Sequence, residues 1–76
     1  MDLHNLIVMA NRIGAFFEAQ PDRAEAMAGI AEHVKKFWEP RMRSQILASL
    51  DTDASQGLSE IVRAALVAHR AALQPA

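Results

Sequence analysis

The chain has 76 residues, a formal charge of −1, about half its residues apolar, and no cysteine. Disulfides, thiolate metal sites and a cysteine nucleophile are therefore excluded, and the length leaves room for one small core near the limit of self-sufficiency. The apolar content is too high for a disordered chain, and the overall charge gives no reason to seek nucleic acid or anionic lipid.

Stepping 100° per residue from Leu3 to about Ala19 places Leu3, Leu6, Ile7, Ala10, Ile13, Gly14 and Phe17 on one face, which predicts an amphipathic first helix. Gly14 lies in that stripe, and its expected use is the close approach of a neighbouring helix. Pro21, Asp22 and Glu25 carry the signals of a second start, with Pro21 suited to the first helical position and Asp22 to a capping box. The expected face of this second helix is Ala24, Met27, Ala31, Val34 and Trp38, with Ile30 and Phe37 along one edge. A short connection makes the first two helices antiparallel. Pro40 forces the next break, and a third helix is expected from Arg41 to about Leu50, presenting Met42, Ile46, Leu47 and Leu50. Residues 51–57 are polar and are expected to form a flexible loop. Ser59 is placed to cap a last helix running to about Leu73, whose wide apolar face (Ile61, Val62, Ala65, Leu66, Ala68, Ala72, Leu73) would suit self-association of the isolated chain. The fold class expected is all-α, a small single-domain bundle of three to four helices over residues 1–76.

The groups that could carry chemistry are scattered. His4, His33 and His69 fall on separate helices without metal-ligand spacing, and Asp51 and Asp53 sit in a polar stretch rather than beside an apolar pocket. No serine has a nucleophile-elbow context, and there is no phosphate loop or dinucleotide fingerprint. No catalytic, cofactor-binding or metal-binding residue is expected on this chain. A membrane partner is not expected either, because no apolar run approaches the ~20 residues of a span and the first residues lack the basic start of a signal peptide. The cytoplasm is the expected location.

Four of the eight basic residues, Lys35, Lys36, Arg41 and Arg43, lie within residues 35–43, where Glu39 is the only acid. Phe37, Trp38, Pro40 and Met42 lie among them. Aromatic, Met and Arg side chains are enriched in protein interfaces, so this corner is the expected partner-facing element. A free-standing regulatory or nucleic-acid-binding module using the same cations is the alternative reading, although nucleic acid is not the expected partner of a net-negative chain.

The string Lys36-Phe37-Trp38-Glu39-Pro40-Arg41-Met42-Arg43 resembles the delta subunit of the cytoplasmic, NAD-dependent, molybdenum-containing formate dehydrogenases of bacteria. Met9-Ala10-Asn11-Arg12-Ile13-Gly14-Ala15-Phe16-Phe17 is similar to that family's first helix, Ala28 to Ala31 follow in order, and Gly57-Leu58-Ser59-Glu60-Ile61-Val62-Arg63 resembles the start of its last helix. Ser59-Glu60 stands where an Asp-Pro pair is expected, and either pair can start a helix. The resemblance implies a non-catalytic accessory subunit. It implies docking onto the large catalytic (alpha) subunit of the complex, in support of assembly, stability or molybdenum-cofactor insertion. Molybdopterin, iron–sulfur clusters, FMN and NAD would all sit on partner subunits. By the same resemblance the contact residues would be Phe37, Trp38, Pro40, Arg41, Met42 and Arg43, with Asn11 from the first helix.

Overall fold

The computed structural model describes residues 2–76. Helices α1 (Leu3–Phe17), α2 (Arg23–Phe37), α3 (Pro40–Ser49), α4 (Glu60–Ala68) and α5 (Arg70–Leu73) follow in chain order, with a 3-10 helix at Asp53–Gly57 between α3 and α4. No strand occurs among the described residues. The protein is all-α, with four longer helices and one single-turn helix.

The α1 stripe behaves as its periodicity predicts: Leu6, Ile7, Ala10 and Gly14 are buried, while Leu3, Ile13 and Phe17 pack on the core from its edge. Asp22 accepts a 3.1 Å bond from the Glu25 amide and caps α2, so the helix starts at Arg23 and Pro21 lies outside it. The buried side of α2 is rotated from the expected one. Ala26, Ile30, Ala31 and Val34 face inward, whereas Ala24 is exposed, because Ile30 supplies more apolar area than Ala24 and takes the centre of the interface. Phe17 lies against Gly29, and Ile13 and His33 border one cavity, so the pairing of α1 with α2 runs antiparallel.

Trp38 and Glu39 are both extended, as a residue before proline prefers, and this turns the chain from α2 into α3 within two residues. Pro40 takes the first helical position of α3, where its missing N–H costs nothing. Met42 and Leu50 flank the buried Ile46 and Leu47, as the pattern predicts.

Residues 51–57 are more structured than an open polar loop. Thr52 caps the 3-10 helix through a 3.1 Å bond from the Ala54 amide. Ser55 is buried, and Arg63 reaches back to its carbonyl at 2.6 Å and its hydroxyl at 2.8 Å. The expectation missed this because polar bonds between groups two to eight residues apart, rather than apolar side chains, order the segment.

The expected last helix divides at His69, whose φ of −108° and ψ of 18° depart from helical values. The bend brings Leu73 inward. Of the expected face, Ile61, Val62, Ala65, Leu66 and Leu73 are covered within the single chain, while Ala68 and Ala72 stay exposed. Each large apolar side chain buried here contributes about 1.5–3 kcal/mol.

Two glycines set helix distances. A Cβ built on Gly14 would collide with a methyl of Val62, so α4 crosses α1 at that point, and a Cβ on Gly29 would stand 2.5 Å from the Phe17 ring. The Gly14→Ala substitution gains about 1 kcal/mol of helix propensity but overpacks the α1–α4 contact at a cost of about 1–3 kcal/mol. It is expected to lower the denaturation midpoint in the wild-type background. In a Val62→Ala background the same substitution is expected to raise it, a reversal read from a thermal double-mutant cycle.

Candidate functional site

The corner of residues 35–43 divides into side chains that hold the fold and side chains that face outward. Trp38 is 5% exposed and belongs to the core. Met42 packs against that core from its edge. Arg43 is half-buried, and its guanidinium donates to three carbonyls: Nε to Leu73 at 3.1 Å, and Nη1 to Lys35 at 3.2 Å and Trp38 at 3.3 Å. Those carbonyls belong to the C-terminal ends of α5 and α2. Final-turn carbonyls lack helical partners and carry the negative end of the helix dipole, so one cation satisfies both ends. The cost falls on α3, whose first turn holds Arg41 and Arg43 and no acid. An arginine placed against its own helix dipole was the available sign that this side chain has partners elsewhere.

Asn11 also works within the chain. Its Nδ2 donates to the Gly57 carbonyl at 2.9 Å, and its Oδ1 accepts from the Ser59 amide at 2.8 Å, fastening the start of α4 to the middle of α1. Ser59 stands at the N-cap position, but its hydroxyl caps no amide. The Asn11 amide takes that work for the Ser59 N–H itself.

Of the expected contact residues in the motif, Phe37, Pro40 and Arg41 are exposed, as are the neighbouring Lys35, Lys36 and Glu39. Phe37 is 70% exposed and stacks at a tilt on His33, with ring centroids 4.8 Å apart. Across α1 lies Phe16, 74% exposed, with its ring set edge-on against Phe17 at 5.1 Å. Two adjoining cavities lie between them. One of about 350 Å³ is bordered by Ile13, Phe16, Phe17 and His33, and one of about 230 Å³ by residues that include Phe17, Gly29, His33 and Phe37. Phe17 and His33 border both, so they form one groove along the α1–α2 face. Phe16 is the residue that periodicity alone passes over as a site. A phenylalanine just off the apolar stripe of a short helix is the signal that marks it.

The electrostatics of this region are modest. Lys36 pairs with Glu32 at 3.2 Å on the exposed side of α2. Because Arg43 is turned inward, the four cations of the corner do not form one outward patch. The better-formed ion pair lies elsewhere: Arg70 grips Asp51 through two bonds of 3.0 and 2.7 Å. That hydrogen bond, with the guanidinium charge, holds the Asp51 carboxyl below its ordinary value and raises Arg70. Arg23 is raised by its hydrogen bond to Glu60. Among the described residues, no cluster of three or more His, Asp or Glu side chains is placed to hold a metal, and no helix is long and apolar enough to cross a membrane.

Fold and site together define a small all-helical domain whose polar side chains mostly fasten its own backbone and which carries an aromatic groove on its α1–α2 face. The family model described as NADH-dependent formate dehydrogenase delta subunit, FdsD, matches residues 5–66, and the chain belongs to that family. No curated protein and no solved structure matches it. The matched span contains the groove, the Asn11 clamp and the Arg43 side chain, but ends before the Leu73 carbonyl.

Two outcomes follow from these contacts. Arg43→Ala should lower stability by about 2 kcal/mol in chemical denaturation, since the bonds it removes are charge-assisted and leave carbonyls without partners, whereas Arg41→Ala should change it by less than about 0.5 kcal/mol. For Asp51 the folded carboxyl lies below its ordinary 3.8, so the pair's contribution is complete above that pH and is lost as pH falls through the lower folded value. Asp51→Asn should flatten this acid limb of a stability-versus-pH curve and leave the neutral range level.

Proposed function

We propose that the chain is a non-catalytic accessory subunit that docks onto the large catalytic subunit of an NAD-dependent formate dehydrogenase and supports its assembly, stability or molybdenum-cofactor insertion. Family membership makes it a delta subunit of such an enzyme. The observation that carries the docking reading is Phe37: it lies inside the most distinctive sequence motif, yet it is 70% exposed and contributes little to the fold. An aromatic side chain left in water beside Pro40 and Arg41 has the composition of an interface anchor. Trp38, Met42, Arg43 and Asn11 contribute by holding that surface in shape, since their visible contacts are internal.

Molybdopterin, iron–sulfur clusters, FMN and NAD are then carried by the partner subunits. The absence of cysteine from the sequence fits this division, because clusters are ordinarily held by thiolates. Formate oxidation and electron transfer to NAD belong to the assembled complex, which works in the cytoplasm.

The test is capture of the tagged chain from cells expressing the dehydrogenase, with bound proteins identified by mass spectrometry. The expected result is recovery of the large subunit together with formate-dependent NAD reduction. In cells lacking the chain, the molybdenum content or the yield of assembled enzyme should fall. Recovery of nothing, or of nucleic acid, would overturn the proposal.

A further inference from the structure

The last segment of the chain is fastened to the body at few points. His69 closes α4, its N–H bonded to the Ala65 carbonyl at 3.0 Å, and opens α5, its carbonyl accepting from the Leu73 amide at 3.1 Å. Its φ of −108° and ψ of 18° break the helix between the two. Beyond that hinge the segment rests on α2 and α4 and has three attachments. The Leu73 side chain is 1% exposed. The Leu73 carbonyl accepts from Arg43 Nε in the first turn of α3, and Arg70 grips Asp51 just past the far end of that helix. The seat is incompletely filled, since a cavity of about 180 Å³ lies between the segment and α2, bordered by residues that include Ala28, Ala31, Ala72 and Leu73.

A chain end held by one buried side chain and two polar ties opens more easily than the body beneath it, because nothing beyond it has to move. The other fully buried large apolar side chains, Leu6, Ile30, Ile46, Leu47 and Leu66 among them, belong to α1–α4. Arg43 links the segment to the corner. Its Nη1 holds the carbonyls of Lys35 and Trp38, and its Nε holds the segment, so opening leaves the guanidinium fixed from one side only. That guanidinium spans the turn beside the exposed Phe37, Pro40 and Arg41.

We infer that residues 70–76 form a strap that opens and closes as a unit about His69, and that its closure, through Arg43, stiffens the exposed corner, so that docking at the corner and closure of the strap favour each other. The coupling rests on the docking role proposed above. By linkage, the factor by which closure tightens docking is the factor by which docking holds the strap shut.

The test is hydrogen–deuterium exchange on the full chain, free and then assembled with the other dehydrogenase subunits. In the free chain the peptide containing the Leu73 and Gln74 amides is expected to exchange roughly tenfold or more faster than those of α4. Val62→Ala, in the body, is expected to speed exchange in α4 and leave the strap unchanged, while Leu73→Ala speeds the strap further. In the assembled chain the strap is expected to exchange several-fold more slowly than in the free one. Arg43→Ala, which cuts the link, is expected to remove that slowing, with Arg43→Gln as the milder variant if the alanine variant melts early.

Strap amides that exchange at the α4 rate, or that Val62→Ala accelerates equally with α4, would overturn the independent strap. If the wild-type chain captures no dehydrogenase subunit, the docking role fails and the coupling falls with it. If it captures them and strap exchange is unchanged, docking stands and the coupling is wrong. Slowing that persists in the assembled Arg43 variant would mean that the partner covers the strap directly, and would overturn the link through Arg43.

Discussion

Three backbone carbonyls from the ends of two helices converge on the guanidinium of Arg43, and the arrangement of the remaining elements depends on that convergence. The turn at Trp38 and Glu39 leaves the last turn of α2 short of hydrogen-bond donors, and the bend at His69 points the end of α5 toward the same place. A lysine offers a compact point charge, whereas the planar fork of an arginine can serve several acceptors at fixed angles. The polar bonds at Asn11 and Arg63 repeat the principle on the opposite flank, where side chains take over hydrogen bonds that regular helices would otherwise supply.

This economy follows from size. A domain of 76 residues buries few large side chains, and two of its helix contacts are tightened by glycine rather than filled by larger residues. Close backbone approach raises dispersion contact, while hydrogen bonds between distant segments fix their direction. The exposed ion pairs add little, because solvent screens them. Within this frame the exposure of Phe16 and Phe37 stands apart, since every other large apolar residue near them is turned at least partly inward. Membership in the delta-subunit family gives those two rings a context: a subunit acts through the surface it offers to its neighbours.

Much of the fold was legible in the sequence. Period-3.6 stripes located α1 and α3, Pro40 marked their neighbour's end, Asp22 with Glu25 marked the start of α2, and Gly14 announced a close crossing. What escaped the reading was tertiary. The face of α2 is set by which residues its neighbours can cover, the 3-10 helix at Asp53–Gly57 is ordered by polar bonds to Arg63, and the bend at His69 leaves no local mark such as glycine or proline. The corner motif was visible as a string, but its division of labour was not. Arg41 and Arg43 are alike in composition and two residues apart, yet one faces solvent and the other joins two helix ends.

The central claim is that the corner keeps Arg43 for the fold and, in the proposed docking role, leaves the exposed Phe37 for the partner. An experimental structure of the chain assembled with the large subunit measures both halves at once. The account predicts partner atoms in van der Waals contact with the Phe37 ring, and Arg43 still on the carbonyls of Leu73, Lys35 and Trp38. An Arg43 guanidinium turned outward onto the partner, with the Phe37 ring left open to solvent, would contradict it.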